Sequence, residues 1–165
     1  MVISLKSNRV DFKISTLGKY NIITGNSGTR KSHFVKTMNG YKKRVSTIIC
    51  KVTDDLGNII PRDNIFVLHN DCLFNTDDVN FLYSVHDALF IIDDDVDIMH
   101  RKDIRMLLEE SDNYFILISR EVMGWLPISI DNIYILEKDS RKRIVNIPRY
   151  RDYDEYRYEC WWELV

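Results

Sequence analysis

Residues 20–34 read YNIITGNSGTRKSHF, a short apolar run that breaks into a turn carrying Gly25 and Gly28 and emerges at Lys31-Ser32. This order admits few folds: a buried strand over residues 21–24, a tight loop, then a helix from near Lys31. Gly25 and Gly28 permit backbone angles that turn successive N–H groups inward as an anion nest. The helix adds its positive N-terminal end. In such a loop Lys31 reaches the β- and γ-phosphates, and the Ser32 hydroxyl ligates Mg²⁺. His33 follows on the first helical turn, near an α-phosphate or simply at the surface. A plain polar turn between a strand and a helix fits the same residues.

The pattern is close to the phosphate-binding P-loop, G-x-x-x-x-G-K-[ST]. Gly25, Asn26, Ser27, Gly28, Thr29 and Arg30 form the expected cradle, but Arg30 stands where the second invariant glycine belongs. A second segment weighs against the plain turn. Residues 88–95 read ALFIIDDD, a continuous apolar run of the kind that buried parallel strands show. Ligands of open α/β sheets bind at the C-terminal ends of strands. Asp93 is therefore the expected Mg²⁺ ligand, and Asp94 the group that orients an attacking water. Asp95 and Asp97 read as a solvated turn or caps for the next helix.

Elsewhere the sequence predicts strands over residues 2–6, 10–15, 44–52, 65–69 and 114–119. The segment 132–147 reads as two strands joined by a polar turn. Gly57 is expected at the special angle of a hairpin turn in DDLGN, residues 54–58. Residues 75–78 cap a helix running to His86, with Asn70 or Asp71 just before it near the metal or in a plain loop. A further helix covers 100–111, with Ile104, Leu107 and Leu108 on one face.

Taken in order, the hairpin, the P-loop strand and helix, IIDD, FILISRE and IYILEKDSRKRIVNI resemble the core of ABC/AAA-like P-loop ATPases. A nearer likeness is to small P-loop proteins of Firmicute mobile elements, through SDNYF (111–115), Ser119-Arg120-Glu121 and Leu126-Pro127-Ile128-Ser129-Ile130. The resemblance implies a P-loop NTPase-like α/β fold: a largely parallel sheet, an antiparallel N-terminal hairpin and helices on both faces. It also implies ATP with Mg²⁺, hydrolysed slowly or only when a partner completes the site. Arg120, where the family carries a switch histidine, would sense the γ-phosphate. No LSGGQ-like signature occurs between Gly40 and His86, so a signature-dependent sandwich dimer is not implied. The alternative is a non-hydrolysing P-loop fold serving as a protein-interaction or inhibitory module of a mobile element. A small-molecule or nucleotide kinase is disfavoured by the leading hairpin.

Composition bounds the rest. With 165 residues, 45% of them hydrophobic, the chain can build one sizeable core. Residues 1–149 read as the nucleotide-binding domain. A net charge of −2 gives no case for nucleic acid as principal partner, and Lys42-Lys43-Arg44 and Arg141-Lys142-Arg143 read as solvated turns. Cys50, Cys72 and Cys160 lack metal-site spacing, both with one another and with His69, His86 and His100. No apolar run is long enough for a membrane span, and a cytoplasmic protein is expected. Residues 150–165 alternate charges with Tyr150, Tyr153, Tyr156, Tyr158, Trp161 and Trp162. They read as a helix packed on the same domain or, if exposed, as a docking site for a protein partner.

Overall fold

The computed structural model describes residues 1–9, 11–24, 31–68, 76–93, 102–119, 130–135 and 144–146. They form two sheets. The first has the order β4-β1-β2-β9. β1 (Val2–Lys6) pairs antiparallel with both β2 (Asp11–Ser15) and β4 (Ile49–Thr53), and β9 (Ile144–Asn146) runs parallel to β2. The second has the order β5-β6-β7-β3-β8 and every pairing in it is parallel. Its strands are β3 (Tyr20–Thr24), β5 (Ile65–Leu68), β6 (Leu89–Asp93), β7 (Tyr114–Ile118) and β8 (Ile133–Ile135).

Among the described residues, three helices cover the parallel sheet: α1 (Lys31–Lys42), α2 (Thr76–Tyr83) and α3 (Lys102–Glu110). The chain moves one way across the sheet from β5 through β6 to β7, and the other way from β3 to β5. Right-handed crossovers must then place the connecting helices on opposite faces. The cores agree. Phe34, Val35 and Met38 of α1 pack with Ile23, Leu89, Ile91, Ile116 and Ile118, and with the inner face of the antiparallel sheet (Ile3, Leu5, Phe12, Ile14, Val52). Ile104, Leu107 and Leu108 of α3, with Leu82 of α2, pack against Ile22, Phe90, Ile92, Phe115 and Leu117. An α/β architecture with helices on both faces follows.

The base of the sheet is tied by side chains. Tyr20, Phe115, Phe90 and Phe66 stand in register on four adjacent strands, with neighbouring ring centroids 5.8, 5.3 and 5.1 Å apart. Beside them, buried Asn113 accepts from the Ala88 N–H at 2.9 Å and donates to the Val85 carbonyl at 2.8 Å. This pins the start of β6 to the turn before β7. The Met1 ammonium donates to the Thr16 carbonyl at 2.7 Å and pairs with Asp55, closing the hairpin's far end.

Several boundaries differ from the sequence expectation, each for a local reason. The expected strand over 44–52 begins only at Ile49, because α1 ends in a left-handed cap at Arg44 (φ 62°), with the Val45 N–H bonded to the Gly40 carbonyl. Glycine fits such a cap and a Cβ does not. Arg44→Gly should therefore raise stability by about 1 kcal/mol, read as a higher urea midpoint at unchanged slope. The helix expected to reach His86 stops at Tyr83, where the Ser84 hydroxyl donates to the Phe81 carbonyl at 2.6 Å. The two strands of 132–147 do not pair as a hairpin: β8 joins β3 and β9 joins β2, in different sheets. Gly57 does take the special angle (φ 87°), in a turn closed by Asp54 and Asn58. Among the described residues, no helix is long and apolar enough to cross a membrane.

Candidate functional site

The C-terminal ends of β3, β7 and β6 lie side by side. Ile23 pairs with Ile118, and Ile118 with Asp93, so the three form one row across the rim. Side chains alternate along a strand. Leu89 and Ile91 face α1, so Asp93 faces α1 as well. β7 lies between the other two strands, and Asp93 therefore starts two strand spacings from β3, about 10 Å. Lys31, the first residue of α1, begins on this same face after six residues beyond Thr24.

Here too the chain reverses its path. From β3 it leaves toward α1; from β6 it leaves toward α3, on the opposite face. Such a switch point opens a crevice at the strand ends because the adjoining connections diverge. Thr24 and Ser119 are buried at the ends of β3 and β7, and the Ser119 N–H extends the ladder to the Ile23 carbonyl at 3.1 Å.

The electrostatics at the head of α1 favour an anion. Its first turn holds no acid, so the helix supplies no carboxylate of its own to its positive end. Lys31 is half-buried and Ser32 exposed. His33 leans on the antiparallel sheet, its ring 6.5 Å from that of Phe12. Asp93 is half-buried, directly after four fully buried apolar residues, Leu89 to Ile92. A hydroxyl and a carboxylate are hard oxygen donors of the kind Mg²⁺ takes alongside water and phosphate. The donor set of Ser32 and Asp93 fits that ion. Among the described residues, no three His, Cys, Asp or Glu side chains gather into a protein-only metal cage.

Lys31, Ser32 and His33 open α1, and Asp93 ends β6 on the sheet face that α1 covers. Gly25, Asn26, Ser27, Gly28, Thr29 and Arg30 lie outside the described residues, as do Asn70, Asp71, Asp94, Asp95, Asp97, Arg120, Glu121, residues 126–129 and 150–165.

Two other candidates sit away from the rim. His86 and Asp112 pair at 2.9 Å in the turns at the opposite end of the strands, where the imidazole hydrogen bond holds the Asp112 carboxyl below its usual range. Cys50, on β4, has its thiol pushed up to about 12 by burial, with the Met38 sulfur 3.9 Å away, so it is a protonated core thiol and not a nucleophile. Cys72 and Cys160, His69 and His100, and residues 141–143 lie outside the described residues. Thr24 and Ser119 are polar residues of the rim that no motif singles out by itself. The available signal was a small polar residue ending each of two apolar strands. No family model and no curated protein matches this chain.

Proposed function

We propose that this chain is a P-loop NTPase-like protein that binds ATP with Mg²⁺ at the rim between β3 and β6. Turnover is slow or awaits a partner. The observation that carries this reading is the row Ile23–Ile118–Asp93: it sets a carboxylate on the same face, and at the same end of the sheet, as the Lys31-Ser32 head of α1. Gly25 to Arg30 would cradle the phosphates. Lys31 would hold the β- and γ-phosphates, with Ser32 and Asp93 on the metal. Asp94 and Arg120 would orient water and meet the γ-phosphate. The antiparallel β1–β2–β4 flank supports an ABC-like arrangement over that of a nucleotide kinase.

The test is nucleotide-dependent thermal unfolding with and without Mg²⁺. At about 100-fold saturation, binding to the native state alone adds about 2.7 kcal/mol. Absence of a shift with any nucleoside triphosphate would leave the non-hydrolysing interaction module as the better reading. Metal dependence can be localised further. Asp93→Asn should abolish the Mg²⁺-dependent tightening of ATP binding and leave metal-free binding within about twofold, since only the metal's charge partner is lost. Asp95→Asn serves as the control. Equal metal dependence in the two variants would place the metal ligand elsewhere.

A further inference from the structure

The outer face of the antiparallel sheet carries a charge pattern that the net charge conceals. Along β1, β2 and β4 the inward residues are apolar, and the outward rows are Ser15–Val2–Thr53, Lys13–Ser4–Lys51 and Asp11–Lys6–Ile49. Lys6, Lys13 and Lys51 are all exposed. Lys13 and Lys51 flank Ser4 about 10 Å apart, and Lys6 lies two residues along β1, about 7 Å away. Exposed Arg9 is in the turn leaving β1, and exposed Lys43 and Arg44 are on the connection that enters β4, all at the Lys6 end of the sheet. Among the described residues, Asp11 is the single acid on this face. Asp54 and Asp55 stand at the far end, beyond Thr53.

A protein of net charge −2 that sets three lysines against one acid on a sheet face presents a local positive field to an anionic surface. We propose that this face binds the phosphate backbone of double-stranded nucleic acid without reading its sequence. The chemistry favours a duplex backbone. Lysines supply point charges for phosphates, and Ser4, Ser15 and Thr53 supply hydroxyl donors between them. Among the described residues the face carries no aromatic ring of the kind on which single strands stack. Val2, Ile49 and Ile59 are 49, 70 and 67% exposed and offer only small apolar contacts at its ends. The proposal is independent of nucleotide binding at the rim.

The experiment is fluorescence anisotropy of the full chain with a labelled mixed-sequence DNA duplex of about 20 base pairs, at 50 and 200 mM salt and without nucleotide. Three phosphates neutralised give a slope of about −2.7 in log K against log salt, so affinity should fall about 40-fold between those concentrations. Lys6→Gln/Lys13→Gln/Lys51→Gln should remove most of the binding and flatten the slope, with the urea midpoint close to the parent's because all three side chains are exposed. Lys13→Gln alone should reduce the slope by about 1. Failure to bind the duplex at 50 mM salt, or an unchanged affinity and slope in the triple variant, would overturn the proposal. So would tighter binding of a mixed-sequence single strand, or poly-glutamate competing as well as DNA at equal charge. The last result would assign the face to an acidic protein.

Discussion

Phe115→Ala should destabilise the fold by about 3–5 kcal/mol, a large part of the roughly 5–15 kcal/mol that holds a domain of this size together. Phe115 is fully buried on the central strand β7, its ring stacked between Tyr20 of β3 and Phe90 of β6. Ile104, Leu107 and Leu108 of α3 belong to the same apolar core. Removing the ring would leave a cavity bounded by three strands and a helix, which such a framework cannot collapse to fill. Phe81→Ala provides the contrast. Its ring touches Phe66 edge-on at the end of the same ladder and is 58% exposed, so its loss should cost under about 1 kcal/mol. Urea midpoints at constant slope measure both. Equal costs would mean that the ladder is decoration on the sheet and not its clamp. Phe115 lies four residues before Ser119, about 13 Å from the rim. The folded fraction of the variant should therefore bind nucleotide as the parent does.

The parts of this architecture legible in the sequence are those set by local periodicity. Leu89 to Ile92 is an unbroken apolar run because β6 is buried on both faces, and the spacing of Ile104, Leu107 and Leu108 marks the inner face of α3. The strand, glycine turn and helix of residues 20–34 are likewise a local signal, and α1 starts where Lys31 indicated. What could not be read is set by contacts distant in sequence. Ile133–Ile135 and Ile144–Asn146 are extended and lie close together in the chain, which suggests a hairpin; the free edges of β3 and β2 claim them separately. The β-branched run before Ile49 looks like strand, but the cap at Arg44 and the packing of Ile48 against Gly40 hold it in a turn. Net charge is silent on how charge is distributed for a similar reason. It averages over the surface, whereas strand register decides that Lys6, Lys13 and Lys51 share one face and Asp54 and Asp55 another end. The rim is intermediate. Each candidate residue was visible, but that Asp93 faces α1 follows only from the parallel register with Ile118 and Ile23.

Lys31→Ala should weaken ATP binding about 100-fold and leave AMP binding nearly unchanged. The argument rests on where the lysine sits. It opens α1, at the positive end of the helix, where a cation opposes the dipole and an acid would be favoured. An anion held at that end would offset the cation. Within the proposed site its ammonium would make charge-assisted hydrogen bonds to the β- and γ-phosphates, each worth about 1.5–3 kcal/mol. Losing the larger part of that pair amounts to about 2.7 kcal/mol, since each 1.4 kcal/mol is tenfold in affinity. AMP lacks both phosphates, so its affinity should not register the change. Calorimetric titration of ATP, ADP and AMP into parent and variant separates these outcomes, with urea midpoints confirming that the variant is folded. ADP should fall between the other two, because it retains one of the lysine's partners. Equal ATP affinity in parent and variant would mean that the head of α1 does not hold the phosphates. A loss shared equally by AMP would mean that Lys31 supports the loop's shape and not the β- and γ-phosphates, and Arg30 would become the cation to test next.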